Sequence, residues 1–406
     1  MTRLVYHRAH SGASLVTKVA KKSGWPLWAW AVVLLLCAGL IASVRNSSEP
    51  NWERLIYMGL GGRLHGIPDS ELRERAYSSM QKVGATKAEF KELIGQSGDQ
   101  PGEVKDLRRE TYRSDSLYLS QFPFYSQQRL YIEGVSRIAY IGVYSNPAID
   151  WFGYLGALGA IFALALFLSH RVAPLGGLIF LSAGVLLLHW NWLLTHASPG
   201  SWAVFLCGSG FLLVLGDGWS RRLAILPFAL ALGFDPDTII LCFSGIILMA
   251  WIHPKDRLIA ALSGVGLGAT YAFIQALTQP YPLPVRLAQE FKGPYPDGKI
   301  ASEIPWSILD HGSKILDNSP QLLFQNLGEW VILFGLGVYA LKAKIPTVFP
   351  LILVLMIGVV VQFMIYPSVE YWVQALLGLS CVATLGVILS KQHSPRKPES
   401  QKEQAV

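Results

Sequence analysis

Charge is scarce in this chain: Asp, Glu, Lys and Arg make up 15% of its 406 residues, against 52% hydrophobic. The apolar residues gather in runs near the bilayer-spanning length from end to end, which excludes an ordinary soluble globule. Cysteine is equally sparse. The four present, Cys37, Cys207, Cys242 and Cys381, all sit inside apolar runs, so neither a disulfide framework nor a Cys-based metal site is expected. There is no glycine-rich phosphate loop, no nucleophile elbow and no pair of histidines at metal-ligand spacing. No repeat of fixed period is evident and charge deep in the runs is rare, which weighs against a transporter built from inverted repeats. The net charge of +7 resides largely in short juxtamembrane segments and tails, so topology explains it without nucleic acid.

What is there predicts an all-α polytopic membrane protein of about ten transmembrane helices, with a large helical extracytoplasmic loop after the first. The expected spans are 26–44, 151–169, 174–194, 200–216, 222–234, 238–252, 258–278, 326–342, 347–365 and 369–390. A cytoplasmic segment, 1–25, carries Arg3, Arg8, Lys18, Lys21 and Lys22; it is long and lacks a small-residue cleavage site, so span 26–44 reads as a retained signal anchor. Residues 45–150 form the first outer loop, 151–278 a membrane bundle, 279–325 a second outer loop, 326–390 the C-terminal membrane helices and 391–406 a disordered cytoplasmic tail. Within the first outer loop, Asp69 after Pro68 can cap a helix with Leu72, Ala76, Met80 and Val83 on one face. Thr86 and Glu89 suit a capping box ahead of a short helix ending near Gly95. Further on, Tyr131, Val135, Ile138 and Gly142 share a helical face, with Glu133 and Arg137 one turn apart on the other. Basic connections fall on one side throughout, so the positive-inside rule puts both termini in the cytoplasm of a multi-pass inner-membrane protein.

Between Arg222 and Arg257 two apolar stretches flank Asp235-Pro236-Asp237-Thr238, with basic residues at both outer ends. This is the pattern of a membrane hairpin carrying two carboxylates at its outer tip. Asp-Pro is also a good turn, and Asp237 or Thr238 can cap the second helix, so a purely structural role stands beside a functional one. Other polar candidates collect at the same face. Glu49 and Glu53 follow the first span with Tyr57; Gln128 and Arg129 lie in an aromatic and amide cluster from Gln121 to Tyr131; His189 and Asn191 end the third span among Trp190 and Trp192. Each has a plainer reading as a solvated loop acid, an interfacial aromatic belt or a hydrogen-bonded helix end.

The layout resembles the GT-C superfamily of membrane glycosyltransferases and bacterial polytopic membrane proteins related to it. The carriers are Glu49 to Tyr57, Arg75-Ala76-Tyr77, Pro123-Phe124-Tyr125 through Arg129-Leu130-Tyr131, and Asp235-Pro236-Asp237, which span the first 250 residues or so. That resemblance implies transfer of a sugar from a polyprenyl-phosphate donor to a glycan acceptor on the extracytoplasmic side. Glu53 or Glu49 would be the base, and Arg129 would hold the phosphate. The family commonly places an aspartate where this chain has Glu49 and Glu53. Tyr57, Gln128, His189 and Asn191 join the expected substrate site, and Asp235 and Asp237 could bind the acceptor or a divalent cation. Two other readings remain: a non-catalytic membrane partner in envelope polysaccharide assembly, and a transporter of lipid-linked sugar.

The topology makes a direct prediction. Single cysteines at Ser97 and Lys299 should react with an impermeant thiol reagent in intact cells; protection of both positions would overturn the orientation.

Overall fold

Uninterrupted runs of Leu, Val, Ile and Ala can satisfy their backbone polar groups within an apolar medium only as helices, and every regular element among the described residues is helical. The computed structural model describes residues 24–44, 52–83, 87–97, 102–140, 146–187, 198–216, 219–292, 306–368 and 371–392. The basic segment 1–23, Thr86 of the expected capping box, Gly142 and the tail from 393 lie outside them.

The chain opens with the apolar α1, Leu27–Val44. A run of smaller helices follows: α2 Trp52–Leu64, α3 Asp69–Val83, α4 Lys87–Leu93, α5 Gly102–Arg113, α6 Asp115–Ser120, α7 Phe122–Tyr125 and α8 Arg129–Tyr140. Next come α9 Asn146–Ser169, α10 Pro174–Leu187, α11 Gly200–Val214, α12 Ile225–Phe234, α13 Ile239–Ile252 and α14 Arg257–Thr278. The remainder is α15 Leu283–Phe291, α16 Ile308–Gln325, α17 Leu327–Lys342, α18 Val348–Ile365 and α19 Tyr371–Gln392.

Among the described residues, four helical segments are long and apolar enough to cross a membrane: Trp151–Ser169, Pro254–Thr278, Val348–Ile365 and Val373–Ser390. A fifth arises if α16 and α17, bent by 68° at Asn326, count as one span. Shorter apolar helices occupy the other expected positions, α11 among them with 15 residues. At 1.5 Å per residue such a helix covers about 22 Å, less than the roughly 30 Å of a hydrocarbon core.

The segment 279–325, expected as a second outer loop, includes regular helices among its described residues. It contains α15 and α16, and α16 starts from a capping box in which Ser307 and Asp310 exchange side-chain and backbone hydrogen bonds. An exposed apolar stripe, Leu309, Leu316 and Leu323, runs along α16 at a seven-residue spacing.

The helices build two apolar cores. The larger draws on α1 and the long helices from α9 onward, the smaller on α2 to α8 with Phe152 of α9. In the smaller, Leu72, Ala76 and Met80 of α3 pack inward, as do Tyr131 and Val135 of α8. Trp202 and Phe234 pack against both cores. Their rings stack with centroids 4.6 Å apart, Phe152 lies 4.8 Å from Trp202, and the Trp202 indole donates to the Phe152 carbonyl at 2.9 Å. Tyr131 then joins Phe152 at 5.5 Å and Tyr57 at 5.0 Å, so an aromatic chain crosses the seam. Two glycines admit this packing. A Cβ on Gly156 would stand 2.9 Å from the backbone of Ser201 and Trp202, and Gly134 of α8 meets the tip of the Phe152 ring.

The segment between Arg222 and Arg257 folds back on itself. Phe228 of α12 packs against Gly245 of α13, and the Cys242 thiol donates to the Phe228 carbonyl at 3.5 Å. At the opposite end from the turn, Arg221 and Arg222 both bond the fully buried Asp256 carboxylate, at 2.5 and 3.0 Å. The two ends of the hairpin are thereby clasped together.

The seam predicts a stability effect. Gly134→Val drives a side chain into Phe152, which Trp202, Phe234 and Tyr131 hold in place. Overpacking of this kind costs about 1–3 kcal/mol. The thermal midpoint in detergent should fall, and an unchanged midpoint would show that the two cores do not depend on this contact.

Candidate functional site

Helix α12 ends because Asp235 leaves helical space, at φ −149° and ψ 98°, and Pro236 cannot continue the hydrogen-bond ladder. The turn is then over-determined. An Asp235 carboxylate oxygen accepts from the Asp237 N–H at 3.2 Å, and the Thr238 hydroxyl donates to the Asp235 carbonyl at 2.7 Å. Asp235 is only 5% exposed. The end of α12 packs under α8: a Cβ on Gly233, two residues before Asp235, would collide with Leu130.

Three other segments converge on this turn. From the loop between α7 and α8, Gln127 donates its amide to Asp237 Oδ2 at 3.2 Å, while the Tyr57 hydroxyl donates to Gln128 Oε1 at 2.5 Å. From α2, Glu53 lies one turn before Tyr57, and its charge acts on Tyr57, Tyr131 and Asp235 alike. From α15, Arg286 bonds both oxygens of Asp237, at 3.1 Å to Oδ2 and 3.3 Å to Oδ1, and is 9% exposed. Tyr271 and Tyr366 lie within electrostatic reach of that guanidinium. The Ser126 hydroxyl donates to the Thr278 carbonyl at 3.1 Å and ties the end of α14 to the same loop.

Arg129, expected to hold the phosphate, pairs with Glu133 one turn along α8, at 2.7 Å. Glu133 also faces Arg137, at the longer distance of 4.0 Å. The guanidinium beside the carboxylates is Arg286, whose sequence signal is slight: a lone cation in Leu-Pro-Val-Arg-Leu-Ala, where Leu287 and Ala288 are buried. Glu49, His189 and Asn191 lie outside the described residues. The structure thus brings Glu53, Tyr57, Gln128, Asp235 and Asp237 to one place, and adds Gln127, Tyr131 and Arg286.

Three polar atoms here are buried with no hydrogen-bond partner: the Tyr131 hydroxyl, Gln127 Oε1 and Arg286 Nε. Leaving such groups unpaired costs about 1–3 kcal/mol each. Among the described residues no group of three or more His, Cys, Asp or Glu could hold a metal ion, so the cation considered for Asp235 and Asp237 finds no such cluster.

Electrostatics separate the two aspartates. Burial, and then the neighbouring Asp237 charge, push the Asp235 carboxyl up to about 7, against the opposing backbone hydrogen bond and Arg286. Burial and then Glu53 likewise raise the Tyr57 hydroxyl well above its ordinary value. Asp235 can therefore hold or release a proton near neutrality, while Asp237 is committed to Arg286. No protein-family model, curated protein or solved structure matches this chain.

The raised carboxyl sets a pH dependence. Folded Asp235 keeps its proton to about 7, whereas an unfolded aspartate releases it near 3.8. The folded state then binds more protons between those values, so its stability falls as pH rises through that window and is level above it. Asp235→Asn, which keeps the oxygen that accepts from Asp237, should flatten the melting midpoint across that range and be the more stable protein at pH 8. An unaltered slope in the variant would assign the titration to another group.

Proposed function

We propose that this chain is an integral membrane glycosyltransferase that transfers a sugar from a polyprenyl-phosphate donor to an acceptor hydroxyl on the extracytoplasmic side. The observation that carries the reading is the convergence of Glu53, Asp235 and Asp237 with the buried Arg286 at the seam between the two cores. A chain with about ten spans, both termini in the cytoplasm of an inner-membrane protein, would place this seam at the outer face.

The chemistry follows from the residues. Glu53 accepts the proton of the acceptor hydroxyl as its oxygen bonds to the anomeric carbon. The bond from that carbon to the phosphate oxygen breaks, and its electron pair leaves with the polyprenyl phosphate. Arg286 stabilises the departing charge through its unpartnered Nε, so no acid is required there. Asp235, protonated in part near neutrality, can hydrogen-bond a sugar hydroxyl in either state. Glu49 is a second candidate base, four residues before Glu53. One observation favours a non-catalytic partner in envelope polysaccharide assembly: Asp237 already neutralises Arg286 within the chain.

Transfer from a radiolabelled polyprenyl-phosphate hexose, followed in membrane vesicles, separates the two. Glu53→Gln keeps shape and removes the proton-accepting charge, and should slow transfer by about 10²- to 10⁴-fold. Arg286→Ala should weaken donor binding as well as the rate. Wild-type rates in Glu53→Gln would remove it as the base, and absence of transfer with the unaltered protein would favour the docking partner.

A further inference from the structure

Helix α16 is polar where it meets the protein and apolar where it does not. The His311 ring donates from Nε2 to the Met364 carbonyl at 2.7 Å, and the Asn318 amide donates to the Pro367 carbonyl at 2.5 Å. Both acceptors lie at or just past the C-terminal end of α18, where the helix's own N–H groups run out. Away from the protein stand Leu309, Leu316 and Leu323, which are 81%, 74% and 56% exposed, with Phe324 also exposed near the end of the stripe. In water this arrangement is inverted, because leucine gains by burial and a run of exposed apolar side chains marks a contact surface.

The elements that hold α16 show what covers that surface. Helix α18 is long and apolar enough to cross a membrane by itself, and Val360, Val361, Met364 and Ile365 are exposed up to its C-terminal end. The end of a span is where hydrocarbon gives way to headgroups, and α16 is bonded across that end. Trp306, just before α16, and Tyr366, just after α18, both lie against the Phe291 ring, at 5.7 and 6.4 Å, an aromatic pair of the kind found at the membrane interface. Beyond the bend at Asn326, α17 continues the exposed apolar surface through Leu327, Val331 and Phe334. A second copy of this chain would have to follow that surface around a 68° bend, whereas fluid lipid takes its shape. Charge does not seat α16, since Lys314, its one lysine, lies 3.8 Å from Asp317.

We propose that α16 is an interfacial helix, lying in the headgroup and acyl boundary of the bilayer on the side that holds the Arg286–Asp237 pair, with its leucine stripe in lipid. This goes beyond the reaction proposed above and does not depend on it, since it needs only that α18 crosses a membrane. Lys292 bonds Asp310 at 2.7 Å, and Phe291 stacks on Trp306, so α15 is tied to α16. The helix that carries Arg286 is thereby kept level with the lipid headgroups.

Nitroxide labels report the depth directly. They are placed at Leu309→Cys, Leu316→Cys and Leu323→Cys on α16, and at Val331→Cys and Phe334→Cys on α17. The background is the full-length protein with Cys37→Ser, whose other three cysteines are buried. In phosphatidylcholine vesicles the three α16 labels should collide more often with oxygen than with a water-soluble nickel chelate. Leu309 and Leu323 lie about 21 Å apart along the axis at 1.5 Å per residue, and their depths should differ by less than half of that. The α17 labels should lie deeper than the one at Leu323.

A depth difference close to the whole of that separation makes α16 the first half of a continuous span and overturns the proposal. Dominance of the chelate at all three positions puts the stripe in water and overturns it. Few collisions with either reagent put the stripe against a second copy or another protein, which overturns it as well.

Discussion

A buried carboxylate at a helix break must be held against the cost of its own desolvation, and here the aromatic seam holds it. Phe234, the last residue of α12, stacks on Trp202 of α11 and Phe152 of α9, which fixes where the chain turns. Asp235 is the next residue, so its position beneath α8 follows from ring packing rather than from ion pairing. Tyr131 and Tyr57 continue the ring chain into the smaller core, bringing the Glu53 helix to the same turn. Each core alone would leave half of the polar cluster in place. Their contact assembles it.

The division of labour between the two aspartates also follows from this geometry. Asp237 faces Gln127 and Arg286, whose guanidinium bonds both of its carboxylate oxygens. Asp235 faces inward, receives one backbone N–H and feels two other carboxylates. Two residues apart in sequence, one carboxylate is bonded by a guanidinium from α15 and the other by a backbone N–H of its own turn.

The break at Asp235, the returning hairpin and the inward face of α3 were legible because each is written in local sequence: Asp-Pro with basic flanks, and Leu72, Ala76 and Met80 at helical spacing. The convergence of Glu53 with the turn was legible only as a shared side of the bilayer, since 182 residues separate Glu53 from Asp235 and no local period relates them. Arg286 was missed for the same reason, lying 49 residues from Asp237 in a nine-residue helix that reads as surface. Glu133, expected opposite Arg137, meets it at 4.0 Å and also pairs with Arg129 at 2.7 Å, a second local partner at the same helical spacing. Likewise Ser307 and Asp310 spell a helix start inside the expected loop 279–325, through side-chain and backbone hydrogen bonds that a hydrophobicity pattern does not contain.

The clasp at the other end of the hairpin imposes an order on biosynthesis. Asp256 follows Arg221 by 35 residues, so both arginines emerge from the ribosome before their counter-charge exists. During that interval they are full cations at the start of an apolar helix, the state in which basic residues most strongly resist translocation. Once Asp256 arrives, it removes much of that charge and locks α12 and α13 side by side. The same two side chains, without their counter-charge while the chain is nascent, close the hairpin when it is complete.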